Sequence, residues 1–166
     1  MKIHKLLQEL NACQEAQEWS SVRAWKKIYN ECHRGDWLCW LFARTNPNDI
    51  QLLTLVKGHQ ANTVRYLMKD ERSLNAVDSA IAFGEGKITL DELNLAATKA
   101  FDAKSSFHTS KNKAATYVAY YAAKVHANAS AVAYYAATYA ADDSGSKYQE
   151  TADIFRKFIK ITEFTI

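Results

Sequence analysis

Residues that break helices are scarce in this chain, and this constrains its fold more than any other feature. One proline and five glycines occur among 166 residues, whereas alanine, leucine, lysine and glutamate are common. Proline and glycine are the residues least compatible with a helix interior, and the common ones are good helix formers. Outside the last six residues, no stretch alternates as a half-buried strand would. We therefore predict an all-α fold, a single compact domain over residues 1–166 with about seven to nine packed helices.

Apolar residues recur at helical spacing along most of the chain. The pattern predicts helices over residues 3–18, from about 21 to 32, from 36 to before Pro47, from Asn48 or Asp49 onward, over 71–83, after Thr89, within 111–141, and after Ser146. Thr89 and Glu92 have the spacing of a capping box. Of these predicted helix starts, the one at Thr89 therefore has the most specific signal.

The segment over residues 111–141 is rich in alanine and tyrosine. Val118-Ala-Tyr-Tyr-Ala-Ala-Lys124 recurs 14 residues later as Val132-Ala-Tyr-Tyr-Ala-Ala-Thr138, an offset of two heptads. This repeat fits one long helix that packs at a shallow angle. The alternative is a break near Asn128, with Ser130 opening a second helix. One helix would be about 45 Å long, which favours the two-helix alternative in a domain of this size.

Residues 34–44, Arg-Gly-Asp-Trp-Leu-Cys-Trp-Leu-Phe-Ala-Arg, form the most informative local pattern. Gly35 is predicted to end one helix in the left-handed conformation, and Asp36 to cap the next. Trp37 and Trp40 are three residues apart and therefore share one face of that helix. Two indoles on one face bury a large area and fix where the helix packs.

This pattern has a structural and a functional interpretation. In the first, it contains only a helix cap, a charge at a helix end and buried aromatic side chains. In the second, Arg34, Asp36 and Arg44 form a polar rim around a binding pocket. In either case we expect a rigid core built around the four tryptophans of the chain: Trp19, Trp25, Trp37 and Trp40.

The same region resembles a known protein family. The pattern Ala12-Cys13…Glu15-Ala16…Glu18-Trp19, followed by Cys32…Arg34-Gly35-Asp36-Trp37…Trp40-Leu41…Ala43-Arg44, resembles predicted immunity proteins of bacterial polymorphic-toxin systems. Relatives of those proteins are also carried by phages and prophages. They share an alanine-rich middle and a late helix similar to Ala152-Asp153-Ile154-Phe-Arg156-Lys157, but they place Arg and Asp among the alanines where this chain has Tyr and Lys. The resemblance implies a toxin-neutralising binding role without catalysis.

Asp153 and Arg156 lie three residues apart in the predicted last helix. They can form a surface ion pair of small energetic value. The resemblance instead brings this helix next to the Arg34-Gly-Asp-Trp37 motif. It implies a salt bridge from Asp153 or Arg156 to Arg34 or Asp36, which would close the helical array.

The net charge of +3 is too small to require nucleic acid, but the charge is unevenly distributed. No acidic residue occurs between Asp102 and Asp142, where four lysines and six tyrosines lie. Tyrosine is favoured at protein interfaces, so we predict a partner surface there. Its candidate residues are Tyr117, Tyr120, Lys124, Tyr134 and Tyr139. The alternative is a nucleic-acid site over residues 103–141 in which tyrosines stack on bases, although four lysines are sparse for a phosphate track.

The sequence carries no signal for catalysis or for a cofactor. Its three cysteines, Cys13, Cys32 and Cys39, lack the short spacing of a zinc site, and an odd number in a chain of this size does not suggest a disulfide framework. No signal peptide or membrane span is predicted, which favours the cytoplasm. We therefore predict a non-catalytic, immunity-type inhibitor with no metal or cofactor. It would occlude a toxin, or a host defence or regulatory protein if the chain is carried by a phage.

Overall fold

The computed structural model of the protein describes residues 3–103, 110–125, 128–140 and 143–166. These residues form ten α-helices and no β-strand, so the all-α prediction is confirmed. The helices are α1 (Ile3–Glu9), α2 (Gln14–Ser20), α3 (Trp25–Glu31), α4 (Gly35–Thr45), α5 (Ile50–Asn62), α6 (Glu71–Gly84), α7 (Leu90–Ala103), α8 (Ser110–Ala123), α9 (Ala131–Tyr135) and α10 (Ser144–Phe158). A π-helical turn, Ala136–Ala140, continues α9, and short 3-10 turns cover Arg65–Leu67 and Ile161–Glu163.

The N-terminal region has one more helix than the sequence predicts. Asn11 has a φ of 55°, and this left-handed residue divides the helix predicted over residues 3–18 into α1 and α2. The helix α3 begins later than predicted, after Ala24. By contrast, Thr89 and Glu92 form the predicted capping box: the Glu92 carboxylate accepts from the Thr89 N–H at 2.7 Å.

Two clusters of buried side chains form the core, and α5 contributes to both. The first cluster lies among α5 to α9 and contains Ala61 of α5. The second joins α1 to α5 with α10 and contains Leu53 and Val56. Because one helix supplies side chains to both clusters, the N-terminal helices and the alanine-rich helices pack on a common centre.

Gly35 does not end a helix in the left-handed conformation, as the sequence predicts, but begins α4. Among the described glycines only Gly86 has a positive φ. Gly35 is required because the backbone of α10 passes directly over it. A Cβ atom at Gly35 would lie 2.6 Å from the Thr151 carbonyl carbon and 2.7 Å from the Ala152 nitrogen. The absence of a side chain therefore allows α4 and α10 to pack closely.

The alanine- and tyrosine-rich segment forms two helices, α8 and α9, which pack side by side. The rings of Tyr121 and Tyr135 lie 5.5 Å apart between centroids. In one continuous helix, 14 residues would separate them by about 21 Å along the axis. The two-helix alternative is therefore confirmed, although residues 126 and 127 of the connection lie outside the described part of the chain.

The end of α8 is held by a buried lysine of α5. The Lys57 side chain is fully buried, and its Nζ donates to the carbonyl oxygens of Lys124 at 2.9 Å and Tyr121 at 3.3 Å. In a continuing helix these carbonyls would accept from the N–H groups four residues later. Lys57 thus supplies donors at the helix C-terminus, where the helix dipole favours a cation.

Gly35→Ala tests the close contact between α4 and α10. We expect this substitution to lower the free energy of unfolding by about 2 kcal/mol, because the added methyl group overlaps the α10 backbone. Gly145→Ala is the matched control, since its Cβ atom would come no closer than 3.4 Å to the Asp143 carboxylate. Urea unfolding measures both variants. Equal stability of the two would contradict the close helix contact.

Lys57→Met tests the buried ammonium through the pH dependence of stability. Burial lowers the pKa of Lys57 from 10.5 to about 8. Between these two pH values the unfolded chain holds a proton that the folded protein has released, so Lys57 makes stability rise with pH. We expect the free energy of unfolding of the native protein, minus that of Lys57→Met, to rise by up to about 3 kcal/mol across that interval.

Taking this difference removes the effects of ionisable groups that do not interact with Lys57, because those effects are the same in both proteins. Urea unfolding at several pH values from neutral to alkaline provides the measurement. A difference that stays constant with pH would show that the Lys57 ammonium is solvated in the folded protein.

Candidate functional site

A cavity of about 400 Å³ opens between α2, α3, α4 and the start of α9. We call it the indole cavity, because Trp19, Trp37 and Trp40 line it together with Tyr134. Aliphatic side chains from α1 to α4 complete its walls, among them Leu7, Ala16, Ile28 and Leu41. The cavity therefore brings predicted motif residues of α2 and α4 together with one tyrosine of the predicted partner surface.

The tryptophans are half-buried and pack around the N-terminal core cluster. Trp19 and Trp37 meet edge to face with 6.3 Å between ring centroids. Trp25 does not line the indole cavity but packs on Phe164, at 4.8 Å. The four indoles are thus not enclosed as a group, and three of them keep a side toward an open cavity.

An arginine lies over each indole of the cavity. The guanidinium carbon of Arg23 is 4.4 Å from the ring centroid of Trp19, and that of Arg34 is 4.5 Å from the Trp37 ring. Arg44 lies 5.8 Å from the Trp40 ring. These are cation–π distances, so each indole is both supported and placed next to a positive charge.

Asp36 pairs with Arg34 instead of capping α4, and this corrects the sequence prediction. Its two carboxylate oxygens accept from Nε and Nη2 of Arg34 at 2.9 Å and 2.7 Å. Asp36 is buried, and this two-point pair satisfies its charge. Although burial opposes the charge of Arg34, its hydrogen bonds to Asp36 and the charge of Asp36 hold the pKa of Arg34 above the ordinary arginine value.

Tyr148 of α10 lies over the Arg34 guanidinium, with 4.3 Å to the ring centroid. Arg34 is therefore in contact with two aromatic rings, Trp37 and Tyr148, while also paired with Asp36. Glu15 approaches it from α2 at 3.4 Å. This single side chain connects α2, α4 and α10 at the edge of the indole cavity.

The polar rim proposed from sequence is divided between two cavities. Arg34 and Asp36 line the indole cavity, whereas Arg44 lines a neighbouring cavity of about 520 Å³. Trp40 is a wall of both cavities. Asn46 and Asn128 give the second cavity a more polar lining.

The tyrosine surface consists of six side chains on α8, α9 and the following π-helical turn: Tyr117, Tyr120, Tyr121, Tyr134, Tyr135 and Tyr139. Tyr134 and Tyr139 are the most exposed, at 39% and 51%. Lys124 lies beside it, with its Nζ 5.2 Å from the Tyr120 ring. The predicted partner residues are therefore contiguous, and Tyr121 and Tyr135 join them.

Ring contacts connect this surface to the indole cavity. The rings of Tyr117, Tyr121 and Tyr135 lie within 22° of parallel, with 5.5 to 6.2 Å between centroids. Tyr134 contacts Tyr135 at 5.8 Å and Tyr139 at 6.1 Å, and it also lines the cavity. The tyrosine surface and the indole cavity therefore form one continuous aromatic region.

Arg156 does not bind Asp36, and Asp153 does not bind Arg34, so the salt bridge implied by the resemblance is wrong. Arg156 donates to the Tyr29 carbonyl at 2.7 Å and also to the Cys32 carbonyl. Its remaining contact is an ion pair with Asp153 at 3.0 Å. Arg156 thus joins α10 to the C-terminal end of α3, where unpaired carbonyls attract a cation.

The cysteines show no sign of a reactive or metal-binding pair. Cys32 and Cys39 are buried, and burial raises the pKa of their thiols to about 11 and about 12. Cys13 is exposed and lines the indole cavity. Within the described ranges, no three His, Cys, Asp or Glu residues are placed to hold a metal ion, and no helix has the length and apolar character to cross a membrane.

Three important side chains are missed by the sequence reasoning. Lys57 lies among the apolar positions of α5, and its place in that periodic pattern is a signal of burial. Tyr148 and Arg23 show no such signal, because their role depends on which cation or ring each contacts in the folded protein. Only the packing of α10 on α4, and of Arg23 on Trp19, reveals them.

Arg156→Met tests the connection between α10 and α3. We expect it to lower the free energy of unfolding by about 2–3 kcal/mol, because two carbonyl groups at the end of α3 lose a charged donor. Lys157→Met is the matched control on the same helix, since Lys157 is exposed. Urea unfolding compares the two variants. A loss no larger for Arg156→Met than for Lys157→Met would contradict this role.

Comparison with known proteins finds no relative of this chain. No protein-family model matches the chain, and neither a curated protein nor a solved structure matches it. The resemblance to immunity proteins therefore stays a prediction from the motif residues.

Proposed function

We propose that this protein is a non-catalytic binding protein that recognises a protein partner through the tyrosine surface. The observation that carries this proposal is the exposure of Tyr134 and Tyr139 within a contiguous aromatic region. Tyrosine combines a large apolar ring with a hydroxyl group, and it is enriched among the residues that dominate binding energy.

The packing of the rings favours a protein over nucleic acid. Tyr117, Tyr121 and Tyr135 pack together with 5.5 to 6.2 Å between ring centroids and are only half-exposed, so part of each ring is covered within the molecule. Binding of single strands uses free ring faces on which bases stack. The most exposed members, Tyr134 and Tyr139, offer a partner both apolar ring surface and hydroxyl groups, which suit the apolar and hydrogen-bonding groups of a protein.

The class of partner follows from the resemblance. Because the Arg34-Gly-Asp-Trp37 region resembles immunity proteins, the proposed partner is a toxin, or a host defence or regulatory protein if a phage carries the chain. Inhibition would be steric: the helical domain covers a working surface of the partner and performs no chemistry on it. The cytoplasm is the proposed compartment.

The test replaces the two exposed tyrosines together, in Tyr134→Ser/Tyr139→Ser. The native protein and the variant are immobilised in equal amounts, and the proteins they retain from the source cells are identified by mass spectrometry. The purified partner is then titrated against each of the two by calorimetry. We expect the double variant to bind at least about tenfold more weakly. Tyr66→Ser is the matched control, because Tyr66 is 63% exposed and is not part of the tyrosine surface.

Equal binding by the native protein and the double variant would contradict the proposal. So would an electrophoretic shift of a single-stranded oligonucleotide that is seen at about 50 mM salt, weakens as salt is raised, and is lost in the double variant, since binding that falls with salt indicates nucleic acid. Circular dichroism confirms that each variant is folded before binding is compared.

A further inference from the structure

We propose that the indole cavity receives an aromatic side chain of the protein partner, and that acidic residues flank this side chain in the partner. This inference rests on the proposed function and adds to it the chemistry of the partner's anchoring residue. Three properties of the cavity support it: its size and walls, the charges beside it, and its position next to the tyrosine surface.

The cavity has the size and lining of a site for an aromatic group. A cavity of about 150 Å³ with apolar walls is enough to bind benzene, and the indole cavity is about 400 Å³. It therefore has room for a two-ring side chain and part of the adjoining chain. Small residues, Ala12 and Ala16, leave this space open on the α2 side.

The walls favour an aromatic over an aliphatic occupant. Trp19 and Trp37 already meet edge to face, an arrangement that aromatic rings prefer. Trp40 and Tyr134 add two more rings to the lining. A guest ring can make edge or face contacts with these side chains that an aliphatic group of the same area cannot make.

The charges beside the cavity favour acidic residues around the anchor. Arg34 is neutralised by Asp36 and Glu15. Arg23 and Arg44 have no carboxylate partner among the described residues, and Nε of Arg23 is buried without an acceptor. Both lie over indoles of the cavity. Arg44 is exposed, and Arg23 also donates to the Trp19 carbonyl. Carboxylates of a partner would pair with these two cations and orient the complex.

The position of Tyr134 makes the cavity part of the binding surface. This residue lines the cavity and contacts both Tyr135 and Tyr139. A partner that covers the tyrosine surface therefore also covers the mouth of the cavity. Anchoring aromatic side chains of protein interfaces are found in pockets of this kind.

Cys13 provides a direct test, because it is the exposed cysteine and lines the cavity, whereas Cys32 and Cys39 are buried. The native protein is equilibrated with disulfides of naphthylmethyl thiol or hexyl thiol under excess mercaptoethanol, and adducts are measured by intact mass. We expect the naphthylmethyl adduct to resist reduction at least about tenfold better than the hexyl adduct. Equal resistance would overturn the inference.

Two variants check where the naphthyl group lies. Ala16→Phe fills the cavity, and Trp37→Leu removes an aromatic wall while keeping it apolar. We expect either change to abolish the preference for the naphthylmethyl adduct, with folding confirmed by circular dichroism. A preference that persists in whichever variant folds would place the group outside the cavity and overturn the inference.

A second experiment uses the partner protein that is identified in the test of the tyrosine variants. Protein carrying the naphthylmethyl adduct should bind it at least about tenfold more weakly than protein carrying an S-methyl adduct at the same cysteine. Equal binding would show that the cavity is not used, and the tyrosine surface would remain the proposed site. Failure of the proposed function gives a different result: in that case the tyrosine double variant binds the partner as tightly as the native protein does.

Discussion

The division of the alanine- and tyrosine-rich segment into two helices is the feature on which the rest of the surface depends. Lys57 binds the carbonyl groups at the end of α8, and α9 then returns along α8. Only this arrangement places Tyr135 against Tyr117 and Tyr121, and Tyr134 at the indole cavity. Lys57 is fully buried and, among the described residues, binds carbonyls and no carboxylate. Such burial is costly, and what it provides here is the end of α8.

Around the N-terminal helices, arginine side chains hold helices together, as Lys57 holds the end of α8. Arg34 pairs with Asp36 and contacts the rings of Trp37 and Tyr148, which connects α4 to α10. Arg156 reaches from α10 to the carbonyls at the end of α3. Planar guanidinium groups suit such positions, because they stack on rings and donate several hydrogen bonds at once. The half-buried indoles are therefore held in place although one side remains open.

Periodicity predicts the fold class and most helices of this chain, but it does not predict how they meet. The capping box at Thr89 and the break between α8 and α9 could be predicted because their signals are local. The sequence predicts the wrong role for Gly35, because a close helix contact and a left-handed turn both favour glycine. Its true role depends on α10, more than a hundred residues later.

The candidate site shows the same limit. The motif around Trp37 predicts that aromatic and charged side chains gather, and the structure adds that they surround a cavity next to Tyr134. Sequence spacing could not show this, because α2, α4 and α9 contribute the walls from distant parts of the chain. The sequence also predicts the wrong partner for Arg156, for the same reason. An arginine can bind backbone carbonyls, and these carry no sequence signal.

The most direct test of the central claim is the contact between the rings of Tyr121 and Tyr135. Nuclear Overhauser effects between these rings, in protein with selectively labelled tyrosine, report whether the two helices pack side by side. The centroid distance of 5.5 Å predicts strong cross-peaks. Absence of these cross-peaks, with the two residues about 21 Å apart as in one continuous helix, would contradict the account.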